Sequence, residues 1–548
     1  MAPTEEKTED RSHGSASRAP TVEPSGSPGP LRKPVSFWLS FLALCLMVLI
    51  VALDATTLAV ALPVISQDIG GTTLEAFWAN ICFLLSAVIV LPLYINASDV
   101  LGRIIPLYTA FFLFFAGSLI FALAPSMGVV IVGRTIQGLG GSGLDALNEI
   151  ITADMTTLKE RPLYLSIMAI PNAAGAILGP IIGALLSQFV TWRWIGWINL
   201  PLTGAAFLLV LFSLRLKPLE GSFLEKGRQL DFIGGLLFTV GCAAFVLPLS
   251  WAGSIYAWST WKTLLPFLIG IAVLVVFAVV ERSVKQPILP YRLLKSITTV
   301  TSFLGAFLHG LVVYNLNTYL PMFIQAVFSE TPLRSAITLL PMSIITFVSA
   351  AVSPVVVAMF RRYLPSIWSG WLLLTLGVGL LALLKPEDSG AFRTGLPAVV
   401  AVGMGAFYTI LNLPVQASVP TADDQGVAVG LVVFLRLFGG VIGLALGSTI
   451  FSSVFENSIA ALEDLPSALA ALRDSSQAIS FIPQLRNPHL GVPSPTLSTV
   501  IDAYSKSFRM IWFVMIGFAG LGLVLALFTK EETMEKEDFG RQQFESSQ

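Results

Sequence analysis

Charged side chains are scarce in this chain: 12% of its 548 residues are Asp, Glu, Lys or Arg, against about 25% in an average soluble domain. That leaves too little polar surface for a water-soluble particle, so the solvent implied is lipid. The formal net charge is only -1, which removes the electrostatic reason to expect a nucleic-acid partner. Cysteine is nearly absent. Cys45, Cys82 and Cys242 all fall inside apolar runs and lack metal-ligand spacing, which excludes a disulfide framework or a zinc site built from them. The three histidines, His13, His309 and His489, lie far apart, and no nucleophile motif or phosphate loop occurs. No metal, no cofactor, no catalysis and no direct use of ATP are therefore expected. A secretory signal is missing as well. Residues 1–36 are rich in Ser, Pro, Glu and Thr and read as a disordered tail. The one glycosylation sequon, Asn96-Ala97-Ser98, falls on the cytoplasmic side in the topology below.

What the chain has in quantity is long apolar runs. A helix needs about 20 apolar residues to cross the hydrocarbon layer, and fourteen runs qualify, near 38–62, 76–96, 104–124, 127–150, 163–187, 194–215, 231–252, 262–281, 299–328, 335–358, 365–385, 394–416, 426–452 and 508–529. Barrel strands of about 10 alternating residues cannot explain them. The expected fold class is an all-α membrane protein. The two most charged interior linkers, Arg215 to Asp231 and Arg282 to Lys295, bracket helices 7 and 8. This favours 6+2+6 over seven plus seven. The expected parts are a bundle at 37–216, an inserted pair with linkers at 217–296, a second bundle at 297–529, and a cytoplasmic tail at 530–548.

Lys and Arg set the orientation. Arg103, Lys159, Arg161, Arg215, Lys217, Lys226, Arg228, Arg282, Lys285, Arg292, Lys295, Arg361 and Arg362 follow even-numbered helices; Arg193, Lys262, Arg334, Lys385 and Arg393 follow odd-numbered ones. Both tails are then cytoplasmic, and the long loop 453–507 is outside.

Three segments carry motifs. After helix 2 comes Asp99-Val100-Leu101-Gly102-Arg103, where a carboxylate and a guanidinium four apart can pair and the glycine permits a tight turn. Helix 4 carries Arg134-Thr135-Ile136-Gln137-Gly138-Leu139-Gly140, and an arginine there must face protein or a watery cavity. Helix 5 carries Gly175-Ala176-Ile177-Leu178-Gly179-Pro180-Ile181-Ile182-Gly183, whose glycines at i, i+4 and i+8 make one smooth face for close helix contact. Together they resemble motif A, motif B and the antiporter motif of the major facilitator superfamily. Leu53-Asp54-Ala55-Thr56 with Ala61-Leu62-Pro63, Trp192-Arg193-Trp194 with Asn199-Leu200-Pro201, Tyr319-Leu320-Pro321 with Gln325-Ala326-Val327 and Leu340-Pro341, and Gln416-Ala417 through Arg436-Leu437-Phe438-Gly439-Gly440 are similar to its fourteen-spanner drug:proton antiporters, particularly fungal ones. The resemblance implies alternating access of two halves, with Asp99, Gly102, Arg103, Gly138, Gly175, Gly179, Pro180, Gly183 and Arg436 as conformational residues. The chain departs from motif A at Ile95, normally glycine, and Ile104, normally basic.

Helical geometry places the polar groups. At 100° per residue, Arg134, Gly141, Asp145 and Glu149 share one face within about 80°. At about 1.5 Å per residue, Asp54 on helix 1 and Arg134 on helix 4 reach similar heights, and both helices border the cavity of the resembled fold. Asp54 and Arg134 are thus a candidate protonation-sensitive pair or a permanent structural ion pair. His309, near the midplane of helix 9, is a candidate proton carrier or a packing residue. Tyr314, Asn315, Asn317 and Asn412 complete the expected cavity lining with Asp145 and Glu149. The expected protein is a monomeric, proton-driven exporter of small organic molecules (drugs, toxins or secondary metabolites) in the plasma membrane. A vacuolar carrier of basic amino acids or siderophores is the alternative within transport. A transporter-like sensor fits less well, since both tails are short.

Overall fold

The computed structural model describes residues 33–533 except 70–72, 158–159, 218–230, 253–255, 285–286, 288–290, 420–423, 463–464, 475–477 and 487–491. Most of both expected tails, most of the linker 217–230, and Lys159 and Lys285 lie outside the described residues. Fourteen long helices occur among those described: α1 (Val35–Asp68), α2 (Thr73–Leu101), α3 (Ile104–Ala122), α4 (Met127–Met155), α5 (Arg161–Phe189), α6 (Trp194–Ser213), α7 (Phe232–Trp251), α8 (Trp261–Val280), α9 (Ile297–Val327), α10 (Pro332–Phe360), α11 (Leu364–Leu381), α12 (Gly390–Ile410), α13 (Gln425–Ala460) and α14 (Ser494–Ala526). Thirteen are long and apolar enough to cross a membrane. The fourteenth, α4, carries Arg134, Asp145, Glu149 and Asp154. It remains helical because neighbouring helices surround it, and its glycines and small residues are buried.

α1 packs on α5 and α6, α3 on α4 and α6, and α2 on α4. A second group follows: α9 on α13 and α14, α10 on α12, and α11 on α12 and α14. The two groups meet where α5 touches α10 and where α2 and α4 touch α13. α7 and α8 pair with each other, and α7 leans on α2 and α13. Phe238 meets Phe434 with ring centroids 5.7 Å apart, Phe245 meets Phe438 at 5.8 Å, and the Trp258 indole donates to Thr449 Oγ1 at 2.9 Å.

The glycine face of α5 lies against α1. A Cβ on Gly175 would stand 2.8 Å from Ala52 Cβ, one on Gly179 would overlap Thr56 Oγ1, and one on Gly183 would overlap the Thr57 carbonyl. Thr56 Oγ1 donates to the Gly175 carbonyl at 3.3 Å. Gly138 serves α4 in the same way against Phe83 and Ser86 of α2. Gly102, between α2 and α3, has φ 91°, a left-handed conformation that disfavours other residues.

The long loop needs correcting. Its expected span, 453–507, shrinks to 461–493, because α13 continues to Ala460 and α14 begins at Ser494. The early turns of α14 contain Ser, Thr, Asp, Tyr and Lys, so hydropathy undercounts them. Among its described residues, Leu469, Leu472, Phe481, Ile482 and Leu485 are buried, Tyr504 Oη donates to the Ala478 carbonyl, and Arg486 donates to the Glu330 carbonyl at 2.8 Å.

Candidate functional site

A cavity of about 430 Å³ lies between the two helix groups. Arg134, Gly141, Asp145, Asn148 and Glu149 of α4 line it, as do Asn172 of α5, Tyr314 and Asn317 of α9, and Arg436 of α13. Tyr408 at the end of α12 and Asn412, which opens a short helical continuation (Asn412–Ser418), complete its polar wall. Val48, Val51, Phe83, Leu84 and Phe347 supply apolar wall.

At the edge of this space sits a buried polar cluster. Arg134 Nη1 donates to Asp54 Oδ2 at 2.6 Å. Asn199 and Gln137 donate to Asp54 Oδ1 at 2.7 and 3.3 Å. Gln137 also donates to Ser118 Oγ at 2.8 Å and accepts from Arg134 at 3.0 Å. The Arg134 guanidinium lies 4.6 Å from the Phe83 ring centroid. The Asp54 carboxyl thus receives three donors, which is what a buried carboxylate requires. Sequence reasoning found the pair but missed Gln137 and Asn199. Gln137, three residues beyond Arg134, shares its face, so helical spacing could have identified it.

The partner of Arg436, which the sequence left open, is Glu149. The ion pair spans the two groups at 3.4 Å. Asn412 Nδ2 donates to the same carboxylate at 2.8 Å, and Arg436 Nη1 donates to the Tyr408 carbonyl at 3.0 Å. Asp145, one turn from Glu149, has no hydrogen bond or salt bridge among the described residues and faces the cavity. Tyr314, Asn317 and Asn412 line the cavity; Asn315 does not. It lies only 100° around α9 from Tyr314, is buried, and donates from Nδ2 to the Gly443 carbonyl of α13. His309 is also absent from the lining. Its Nε2 donates to the Met404 carbonyl at 2.9 Å, and its ring meets Phe407 and Tyr408 edge-on, at centroid distances of 5.6 and 5.2 Å.

The end of the bundle bearing the α2–α3 turn is latched. Arg103 Nε donates to Asp154 Oδ2 at 2.8 Å, while Asp99, its expected partner, is 3.8 Å away. Arg161 opens α5 and reaches across to Gln416 and Gln425, donating at 2.7 and 3.0 Å. It also donates to the carbonyls of Ala153 and Thr156 at 2.6 and 2.8 Å. Ile95, where the resembled motif carries glycine, packs against Gly430 of α13, leaving a Cβ there only 2.6 Å from Ile95 Cγ1. The bulk omitted from one helix is supplied by the other. At the opposite end, the Trp192 indole and Arg193 donate to Asp68 at 2.8 and 3.3 Å. The indole hydrogen bond foremost, then Arg193, hold the Asp68 carboxyl below its ordinary range.

A membrane-spanning bundle with a polar cavity between two helix groups, closed at one end by hydrogen bonds between those groups, is the architecture of a small-molecule transporter. The description "Major Facilitator Superfamily" matches residues 44–444, and the chain belongs to that family. It is 45% identical to the "MFS-type transporter sphD" of Aspergillus fumigatus, covering 94% of this chain and 89% of that protein. It is 30% identical to the "Efflux pump FUS6" of Gibberella fujikuroi, covering 93% and 92%. Among solved structures it is similar to the proton:xylose symporter XylE, with TM-score 0.57 and 12% identity over 93% of this chain and 99% of that one. That likeness is one of fold alone.

Proposed function

We propose that this chain exports small organic molecules of the drug, toxin or secondary-metabolite kind by proton antiport. The two helix groups, α1–α6 and α9–α14, rock as six-helix halves around the cavity, with α7–α8 as an inserted pair. The membrane is the plasma membrane, and both termini are cytoplasmic. The latched end is then the cytoplasmic gate.

The observation that carries this reading is the cavity itself, which borders the Asp54–Arg134 cluster at one edge and is bridged by Glu149–Arg436 between the halves. Asp54 carries the proton in this reading. Protonation removes the charge that holds Arg134, so occupancy of one carboxylate alters contacts between α1, α4 and α6. The names of the relatives, transporters and efflux pumps, support the direction of transport.

The test uses purified protein in vesicles with an imposed pH gradient. A fluorescent organic probe should move against its own gradient while protons move the opposite way, and collapsing the pH gradient should stop it. Accumulation that survives collapse of the gradient refutes proton antiport. Orientation is checked with a tag inserted in loop 461–493, expected to be reached from outside intact cells. Protection there, with exposure of a tag near Lys217, reverses the topology.

A further inference from the structure

Around the cavity, carboxylates outnumber guanidinium groups. Asp54 is matched by Arg134 at 2.6 Å. Glu149 is matched by Arg436 at 3.4 Å and receives Asn412 Nδ2. The Arg436 charge also acts on Asp145, but one guanidinium balances one carboxylate, and its nitrogens are directed to Glu149 and the Tyr408 carbonyl. Asp145 is left as a lining acid without a hydrogen bond or salt bridge among the described residues. A carboxylate so situated, in a cavity with apolar walls, calls for a positive partner.

A second observation points the same way. Asn148 lies three residues after Asp145 on the same face of α4 and is 1% exposed, and its Oδ1 has no hydrogen-bond partner. Asn412, also 1% exposed, gives its Nδ2 to Glu149 and leaves Oδ1 unpartnered. Both residues line the cavity beside Asp145. The unmet groups beside Asp145 are oxygens, which accept hydrogen bonds; the unmet donor of the lining, Arg134 Nε, lies about three turns away along α4. A ligand that satisfies them brings N–H or O–H donors as well as positive charge. An anionic cargo meets further negative charge at Asp145. A quaternary ammonium meets the charge but leaves the amide oxygens unsatisfied.

From this we propose that the cavity binds a protonated primary or secondary amine, with its ammonium on Asp145 and its N–H groups shared with Asn148 and Asn412. The rest of the ligand is apolar, since Val48, Val51, Phe83, Leu84 and Phe347 form the wall beyond. The substrate class is thus an amphipathic organic cation of a size that fits about 430 Å³. This deepens the export reading by naming its cargo, and it rests on that reading only for the word cargo; the binding site is argued from the cavity.

The experiment uses the full chain in vesicles and one fluorophore in three charge states: dansylcadaverine, which is a monocation, its N-acetyl derivative, which is neutral, and its N-succinyl derivative, which is an anion. Binding is read from dansyl emission and transport from uptake. Wild type should bind the cation about tenfold or more tightly than the neutral compound, with the anion weakest. In Asp145→Asn the cation's advantage should fall to about twofold or less. Asp145→Glu should retain it. Equal binding of cation and neutral compound by wild type, a preference for the anion, no binding of any of the three, or a preference undiminished in a folded Asp145→Asn each overturns the proposal. The wild-type charge series stands even if the variant fails to fold. Gradient-driven export without cation preference sinks this inference and leaves the export reading intact. Cation preference without gradient-driven movement does the reverse.

Discussion

The Asp54–Arg134 pair allows a quantitative test of whether it acts as a unit. Both side chains are essentially inaccessible to solvent. Removing one member of a buried ion pair costs about 3–5 kcal/mol, because the other is left charged and uncompensated. Asp54→Asn belongs at the lower end, about 3 kcal/mol, since the amide oxygen still accepts from Arg134. Arg134→Gln strands Asp54 with only Asn199 and Gln137 as donors. The double variant Asp54→Asn/Arg134→Gln removes both charges together and should lose far less than the sum. The coupling energy expected is about 2–3 kcal/mol. The assay is the half-life of folded protein in detergent at a fixed elevated temperature. If the loss falls on the unfolding rate, each single variant shortens the half-life by about a hundredfold or more, while the double shortens it about as much as one single variant rather than by the product of the two. In vesicles, Asp54→Asn should also uncouple probe movement from the pH gradient. A double variant whose losses simply add refutes the pair as an energetic unit. Wild-type coupling in a stable Asp54→Asn removes Asp54 from the proton route.

Three further outcomes follow from the packing. Gly179→Val drives a branched side chain into Thr56 and should cost about 1–3 kcal/mol, giving less protein and a proton leak in vesicles; Gly204→Ala, where an added Cβ meets nothing within 4 Å, is the control, and a tight, fully abundant Gly179→Val would contradict close α1–α5 contact. His309→Ala should lower thermal stability without moving the pH optimum of transport, and His309→Gln should restore much of the loss by donating to the Met404 carbonyl; a shifted optimum with unchanged stability would return His309 to the proton route. The Asp68 carboxyl is held below its ordinary value, so its contribution is full above about pH 4 and disappears as pH falls through the lowered value. Melting temperatures should therefore drop less with acid in Asp68→Asn than in wild type, and parallel acid curves would show the Trp192–Asp68 contact to be idle.

The fold was legible because lipid imposes one requirement, a run of apolar residues of sufficient length, and the chain meets it repeatedly. Sequence reading failed where that requirement was relaxed. The start of α14, Ser494 to Ser507, is helical without being apolar. α4 was identified although its composition is too polar to qualify as a span by length and hydropathy. The site was legible to the extent that it lay on one helix. The face shared by Arg134, Gly141, Asp145 and Glu149 follows from 100° steps, and all four residues line the cavity. Contacts between helices, apart from Asp54–Arg134, which the similar heights of the two residues suggested, were a different matter. That Arg103 reaches Asp154 more closely than Asp99, that Arg436 finds Glu149, and that Ile95 is accommodated by Gly430 are facts of tertiary packing with no local period. Asn315 and Tyr314 differ by one position, and that step decides whether a side chain enters the cavity or the α9–α13 seam.

The latch chemistry bears on how the proposed cycle turns over. Arg161 is held to its own half by the carbonyls of Ala153 and Thr156, and to the other half by two neutral amide oxygens, Gln416 and Gln425. Had those partners been carboxylates, opening the gate would separate buried opposite charges at several kcal/mol each. Hydrogen bonds from a charged donor to a neutral acceptor contribute about 1.5–3 kcal/mol, and water can replace part of that as the gate parts. A proton moving down two pH units releases about 2.7 kcal/mol. The two amide contacts of Arg161 are therefore on the scale of what one or two protons deliver, strong enough to close the end and weak enough to release it. Replacing Gln425 by Glu tests this balance directly. The variant should be more stable, because Arg161 gains a charged partner, and slower to turn over, because the gate holds. A Gln425→Glu transporter that is both stabler and as fast as wild type would mean that release of Arg161 is not part of the rate-limiting opening.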